Sequence, residues 1–235
     1  MVLIHNSKYL DFLSKFGIGG AHPGGINLTK KIFEKESIDR TSRILDVGCG
    51  TGQTAAYLAY NYGANVTGID INSTMIAMAK RRMRKSRLPV KIIHGSIEKV
   101  PLRDNQFDFI ICESVLSFVN KSRALNEIYR LLKDGGRFIA IELTVQQPLN
   151  EKEENEIKQF YGFESLSTKK DWVTLLKSAG FEQIRILKNT SIDSAPDFQN
   201  SSFIEPEFYE IKEKHFYLTD KYKDHLGYRI YTCTK

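Results

Sequence analysis

The chain has 235 residues, 41% of them hydrophobic and 26% charged, with 34 Lys plus Arg against 28 Asp plus Glu and a formal charge of +6. That length and apolar content suffice for one compact domain with its own core, and they exclude a chain that is disordered as its main state. No apolar run reaches the roughly 18 residues of a membrane span, and the first residues carry neither the basic region nor the apolar stretch of a secretion signal, so a cytoplasmic location is expected.

Cys49, Cys112 and Cys233 are widely spaced, and no C-x-x-C occurs. Reduced thiols in or near the core are expected rather than a disulfide framework. The five histidines lack the spacing of a metal site, so no structural metal is expected.

Between residues 43 and 143, short apolar runs alternate with helical patterns. The runs 43–47, 65–69, 90–94, 107–112 and 137–143 are rich in Ile, Val and Phe and suit strands buried on both faces. The stretches 53–62, 73–87 and 121–133 show helical spacing, with Ile76, Ala79 and Met83 on one face and Leu125, Ile128, Leu131 and Leu132 on another. Asn72 or Ser73 can cap the second of these, and Asp134-Gly135-Gly136 is expected to stop the third. Repeated strand, helix, strand predicts right-handed βαβ units in a parallel sheet.

Beyond residue 143 the pattern changes. The charged stretch 150–158 reads as a solvated helix or loop. Thr168 should cap a helix bearing Trp172, Leu175 and Leu176 that ends at Gly180, before strands at 181–187 and 228–233. The connection 189–227 is longer than usual and holds Phe198, Phe203, Phe208, Tyr209, Phe216, Tyr217 and Tyr222, which predicts a packed helical cap.

The segment Ile44-Leu-Asp-Val-Gly-Cys-Gly-Thr-Gly52 is a buried strand running through three glycines into a helix. Such a turn lets a ligand lie against backbone at the positive end of a helix. Residue 53 is Gln, not the glycine of a dinucleotide-binding turn, and no Lys follows as in a phosphate-binding loop. The pattern points instead to a ligand with a ribose and no pyrophosphate. Asp70, at the end of the second strand, is placed to accept hydrogen bonds from both ribose hydroxyls.

Four successive segments carry a resemblance: Ile44 to Gly52, Gly68-Ile-Asp, Gly95-Ser-Ile-Glu-Lys-Val-Pro-Leu-Arg-Asp-Asn-Gln-Phe-Asp, and Glu127-Ile-Tyr-Arg-Leu-Leu-Lys-Asp-Gly-Gly-Arg. Together they resemble the motifs of class I S-adenosylmethionine-dependent methyltransferases, in the small-molecule branch that includes quinone and sterol enzymes. The resemblance covers about residues 40 to 143. It implies an α/β fold with a Rossmann-like, seven-stranded, mostly parallel sheet of order 3-2-1-4-5-7-6 and an antiparallel last strand. It also implies S-adenosylmethionine as cofactor, with S-adenosylhomocysteine as its product.

By the same resemblance, Gly48, Gly50 and Gly52 approach the methionine part of the cofactor, Asp46 helps place its amino group and Asp70 holds the ribose. Ile71 flanks the adenine, Ser96 and Ile97 meet its edge, and Glu113 with Ser114 borders the methionine moiety. Tyr9, His22, Cys49 and Gln53 complete the expected cofactor set. Ser96 departs from the usual Asp, which implies a weaker contact with the adenine amino group. Residues 1–39 are expected to form a helical lid hinged at Gly19-Gly-Ala-His22-Pro-Gly-Gly25, the core to span 40–188 and 227–235, and the cap 189–226.

Methyl transfer from a sulfonium is an in-line displacement that rests on proximity, and it needs a base only where the acceptor arrives protonated. His22 and Glu142 are the candidate catalytic residues. A small, partly apolar or aromatic acceptor is expected, met by Ser117, Phe118, Phe203, Phe208 and Tyr209. The basic run 80–87 leaves RNA methylation as an alternative, although its helix presents Ile76, Ala79 and Met83 to the sheet, so nucleic acid is not the expected partner. An inactive cofactor-binding protein would keep the same motifs. The sequence leaves the oligomeric state open.

Overall fold

The computed structural model describes residues 7–188 and 206–235, except the side chains of residues 188, 206 and 207. Among these residues, seven strands form one sheet: β1 (Arg43–Val47), β2 (Asn65–Asp70), β3 (Lys91–His94), β4 (Phe107–Glu113), β5 (Leu132–Val145), β6 (Glu182–Lys188) and β7 (Leu226–Thr234). Their order is β3-β2-β1-β4-β5-β7-β6. The pairings from β3 through β5 are parallel, whereas β7 runs antiparallel to both β5 and β6. This is the expected Rossmann-like arrangement. The strand order reverses between β1 and β4, opening a crevice at the carboxyl ends of the strands.

Among the described residues, eight α-helices accompany the sheet: α1 (Lys8–Lys15), α2 (Gly25–Phe33), α3 (Gln53–Tyr62), α4 (Ser73–Ser86), α5 (Lys121–Leu131), α6 (Glu151–Tyr161), α7 (Lys169–Ser178) and α8 (Pro206–Lys221). Local chemistry sets their starts. Asn72 accepts from the Thr74 and Met75 N–H groups, and Thr168 forms a capping box with Asp171. One sheet face packs Leu45, Val47, Ile110 and Phe138 against α5 and α7; the other packs Ile44, Ile111 and Ile139 against α2 and α3. The three cysteines are free thiols, and all are buried. Among the described residues, no helix is long and apolar enough to cross a membrane.

Two expectations change. The helix expected over 121–133 ends at Leu131, and Leu132 already pairs with Phe107 in the sheet. The Asn105 and Gln106 N–H groups bind the Arg130 and Leu131 carbonyls, so the last turn is terminated by a neighbouring loop. Gly135, at φ +74°, instead lets the N–H of that residue reach the Lys235 carbonyl at 3.0 Å. The stretch 150–158, expected as a solvated helix or loop, is the capped start of the helix α6, exposed on its outer face but burying Ile157 and then Tyr161 on its inner one.

Those residues join α1 and α8 in a third apolar cluster, which includes Phe12, Leu13, Phe208, Ile211, Leu218 and Tyr222. The cluster stands beside the crevice and is separate from the two sheet-facing cores.

Candidate active site

The carboxyl ends of β1, β2, β4 and β5, with α1, the loop before α2, and α8, enclose a cavity of about 1000 Å³. Its floor is the glycine turn. Gly48 sits at φ +67°, and a Cβ there would come within 2.2 Å of Val115 Cγ2. Gly50, at φ +51°, has nothing within 4 Å of an added Cβ, so its backbone faces open space. Gly52 does different work: it is absent from the cavity wall, and a Cβ there would meet Met83 and Ala79, so it permits close approach of α3 and α4.

The acidic groups divide into those whose oxygens are engaged and those with one left bare. Asp70 accepts from the Gly50 N–H at Oδ2 and from the Asn72 N–H at Oδ1, each at 2.8 Å. Burial raises its carboxyl above the usual range against the pull of these donors. Asp46 is buried, and its Oδ2 has no hydrogen-bond partner. Its carboxyl lies well above the ordinary range, chiefly through burial and then through the nearby Glu113 charge. A bare buried oxygen of this kind fits a cationic donor, such as the ammonium of the cofactor's methionine part.

Glu113 is fully engaged. Oε1 accepts from Thr29 Oγ1 at 2.5 Å and Oε2 from Thr54 Oγ1 at 2.7 Å, while His22 Nε2 lies 3.5 Å from Oε1. His22 Nδ1 is 3.2 Å from the Pro23 carbonyl. This network joins β4, α2, α3 and the glycine-rich segment before α2.

Glu142 on β5 is fully buried. Its Oε1 accepts from the Val115 and Leu116 N–H groups at 3.1 and 3.0 Å, and the Cys112 thiol lies 3.6 Å away; Oε2 has no partner. Burial pushes this carboxyl up to about 7 against those donors and the Lys121 charge. Burial also raises the Cys49 and Cys112 thiols, which keeps them protonated at neutral pH.

Most sequence-predicted residues meet at this one cavity. Tyr9, His22, Asp46, Gly48, Cys49, Gly50, Gln53, Asp70, Ile71, Ser96, Ile97, Glu113, Ser114, Ser117, Phe118 and Glu142 all line it. Phe208 does not; it is packed against Phe12 and Phe16 in the third apolar cluster. Tyr209 is half exposed and also outside the wall. Phe198 and Phe203 fall outside the described residues.

Sequence reasoning missed Thr29, Thr54, Tyr161, Phe163 and His215. Tyr161 and Phe163 stack at 5.0 Å, Phe163 meets Phe118 edge-on at 4.9 Å, and Tyr161 meets Tyr9 edge-on at 4.9 Å. The Tyr161 hydroxyl lies 3.0 Å from His215 Nδ1. None of these belongs to a spaced motif; the third dimension assembles them.

The sheet order, the glycine turn and the acid ending β2 define a class I methyltransferase fold. Residues 45–140 match the family model described as a methyltransferase domain. The chain is 34% identical over 233 residues to the uncharacterized methyltransferase YodH of Bacillus subtilis (strain 168), covering 97% of this chain and all of that one. It is also 31% identical over 172 residues to phosphoethanolamine N-methyltransferase 1 of Zea mays, covering 72% of this chain and 34% of that enzyme. Among solved structures, phosphoethanolamine N-methyltransferase 2 of Haemonchus contortus superposes with a TM-score of 0.80 at 20% identity, over 97% of this chain and 57% of that one. The chain belongs to the methyltransferase family, as an S-adenosylmethionine-dependent enzyme.

Proposed function

We propose that this enzyme methylates a small, partly apolar or aromatic acceptor by in-line displacement, inside the cavity at the carboxyl ends of the strands. The observation that carries the reading is the mixed lining of the cavity. Its wall combines a polar set, the open Gly50 backbone, Asp70 and the bare Asp46 oxygen, with a ring set in mutual contact, Tyr9, Tyr161, Phe163 and Phe118. S-adenosylmethionine, when bound, supplies an electrophilic methyl carbon on a sulfonium.

On this reading Asp70 holds the ribose hydroxyls, Asp46 takes the ammonium and the Gly48 to Gly50 backbone lies against the methionine part. Ile71, Ser96 and Ile97 frame the adenine. Tyr9, Phe118, Phe163 and Tyr161 orient the acceptor and exclude water, which favours the aligned approach that displacement requires. The segment around His22, tied to Glu113, closes one side and acts as a lid. Related enzymes named for phosphoethanolamine show that this fold accepts polar amines, but the rings here favour a less polar acceptor.

RNA methylation by the basic helix is the second reading. It is weakened by Arg82, whose guanidinium donates to Thr51 in the glycine turn, so this cation of the run has an intramolecular role. A screen of tritiated methyl transfer to phenols, thiols, amines and RNA tests the proposal. Transfer to RNA alone would overturn it.

A further inference from the structure

Among the buried side-chain oxygens of the described residues, only Asp46 Oδ2 and Glu142 Oε2 lack a hydrogen-bond partner, and the two sit in different settings. Asp46 ends the strand that enters the glycine turn. Glu142 anchors the short 3₁₀ turn Leu116–Phe118, because its Oε1 holds the Val115 and Leu116 amides. Val115 packs over Gly48, so the same turn joins the glycine floor to the aromatic wall that starts at Phe118. His22, the other candidate base, has neighbours at both ring nitrogens.

We infer that the acceptor is an aromatic hydroxyl compound, held along the ring wall from Phe118 through Phe163 to Tyr161, and that Glu142 Oε2 is the base that takes its hydroxyl proton. The inference rests on the proposed function above. As the acceptor oxygen bonds to the methyl carbon, the carbon–sulfur bond breaks and its electron pair stays on sulfur, which becomes a neutral thioether. The hydroxyl proton passes to Glu142 Oε2, leaving a neutral aryl methyl ether. The arrangement explains the bare oxygen: a fully buried carboxyl is costly to leave unpaired, and a hydroxyl donor satisfies it. Its carboxyl, raised to about 7, suits proton abstraction near neutrality.

The groups facing Glu142 are Cys112 on β4, Lys121 on α5, and Arg229 and Tyr231 on β7. Lys121 donates to the Ser165 carbonyl and hydroxyl at 2.9 and 2.6 Å. Burial raises the Cys112 and Tyr231 groups, so both stay neutral through the pH range in which Glu142 titrates.

The test uses 1-naphthol, 1-naphthalenethiol and 1-naphthylamine as matched probes, with wild type, Glu142→Gln and Phe118→Leu. Naphthol should be methylated by the wild type with a rate rising to a plateau through about pH 7, and Glu142→Gln should lower that rate by roughly a hundredfold. The thiol rate, with the probe already ionised, should change less than threefold. A second readout needs no turnover. In the S-adenosylhomocysteine complex, the wild type should bind naphthol at least tenfold more tightly than 1-methoxynaphthalene, and Glu142→Gln should abolish that preference. Phe118→Leu should weaken binding of both compounds alike while keeping the pH profile, and it serves if the Gln variant does not fold. Methylation of the amine or thiol with naphthol untouched, or equal losses for naphthol and thiol, would overturn the inference. Failure of the cofactor itself to bind would instead defeat the underlying function.

Discussion

Arg82 on α4 donates from Nε to the Thr51 carbonyl at 2.8 Å, and its Nη2 lies 3.4 Å from Thr51 Oγ1. A helix that reads in sequence as a basic surface thus braces the turn that forms the cavity floor. Arg82→Ala should weaken S-adenosylhomocysteine binding by about three- to tenfold, the worth of one charge-assisted hydrogen bond. Arg81→Ala and Arg84→Ala, which alter exposed positions, should change it less than twofold. Calorimetric titration of the three variants separates them.

Asp70 joins the same turn to the end of β2 through the Gly50 N–H. Asp70→Ala should cost roughly 1.5 to 3 kcal/mol of cofactor affinity, since two hydrogen bonds to a charged acceptor vanish. Asp70→Asn retains one acceptor oxygen and should lose less. Unchanged affinity in a folded Ala variant would contradict the ribose assignment.

Thr29 and Thr54 hold the two oxygens of Glu113 from different helices. Thr29→Val removes the bond from α2 alone and should destabilise the fold by about 1 to 2 kcal/mol. Protease cleavage in the glycine-rich segment between residues 17 and 25 should accelerate several-fold, and saturating cofactor should slow it again. Cleavage indifferent to both would mean that this segment does not act as a lid.

The buried carboxyl of Glu142 gives stability a defined pH dependence. Its folded value of about 7 lies above the ordinary glutamate value of 4.5, so between those values the native state binds a proton that the unfolded chain releases. Its contribution is therefore most favourable below about pH 4.5 and is lost as pH rises through 7, by the order of 3 kcal/mol. Asp46, also raised, acts in the same direction. Glu142→Gln should flatten the decline in urea midpoint between pH 5 and 8. An identical decline in wild type and variant would contradict the assignment.

The residues proposed to hold the cofactor are legible because backbone geometry writes them locally. A strand, three left-handed glycines and a helix are contiguous, and Asp70 is placed by the next strand's end. Even so, one identical letter hid two roles: Gly50 faces the cavity while Gly52 relieves a clash between helices. The end of α5 was misplaced because its last carbonyls are taken by Asn105 and Gln106, a contact with no local signature. The ring wall proposed to hold the acceptor is less legible for the same reason. Tyr9, Phe118, Tyr161, Phe163 and His215 come from separate elements and converge only through packing, so a count of aromatics in one segment singled out Tyr209, which faces outward.

Parallel calorimetric titration of wild type and Asp46→Asn with S-adenosylmethionine, S-adenosylhomocysteine and a nicotinamide dinucleotide tests the account most directly. The two sulfur compounds should bind the wild type and the dinucleotide should not. Asp46→Asn should weaken both sulfur compounds severalfold, because each carries the ammonium that the bare Oδ2 is proposed to receive. Binding of the dinucleotide instead, or binding of none of the three by a folded wild type, would contradict the assignment of this cavity to methyl transfer.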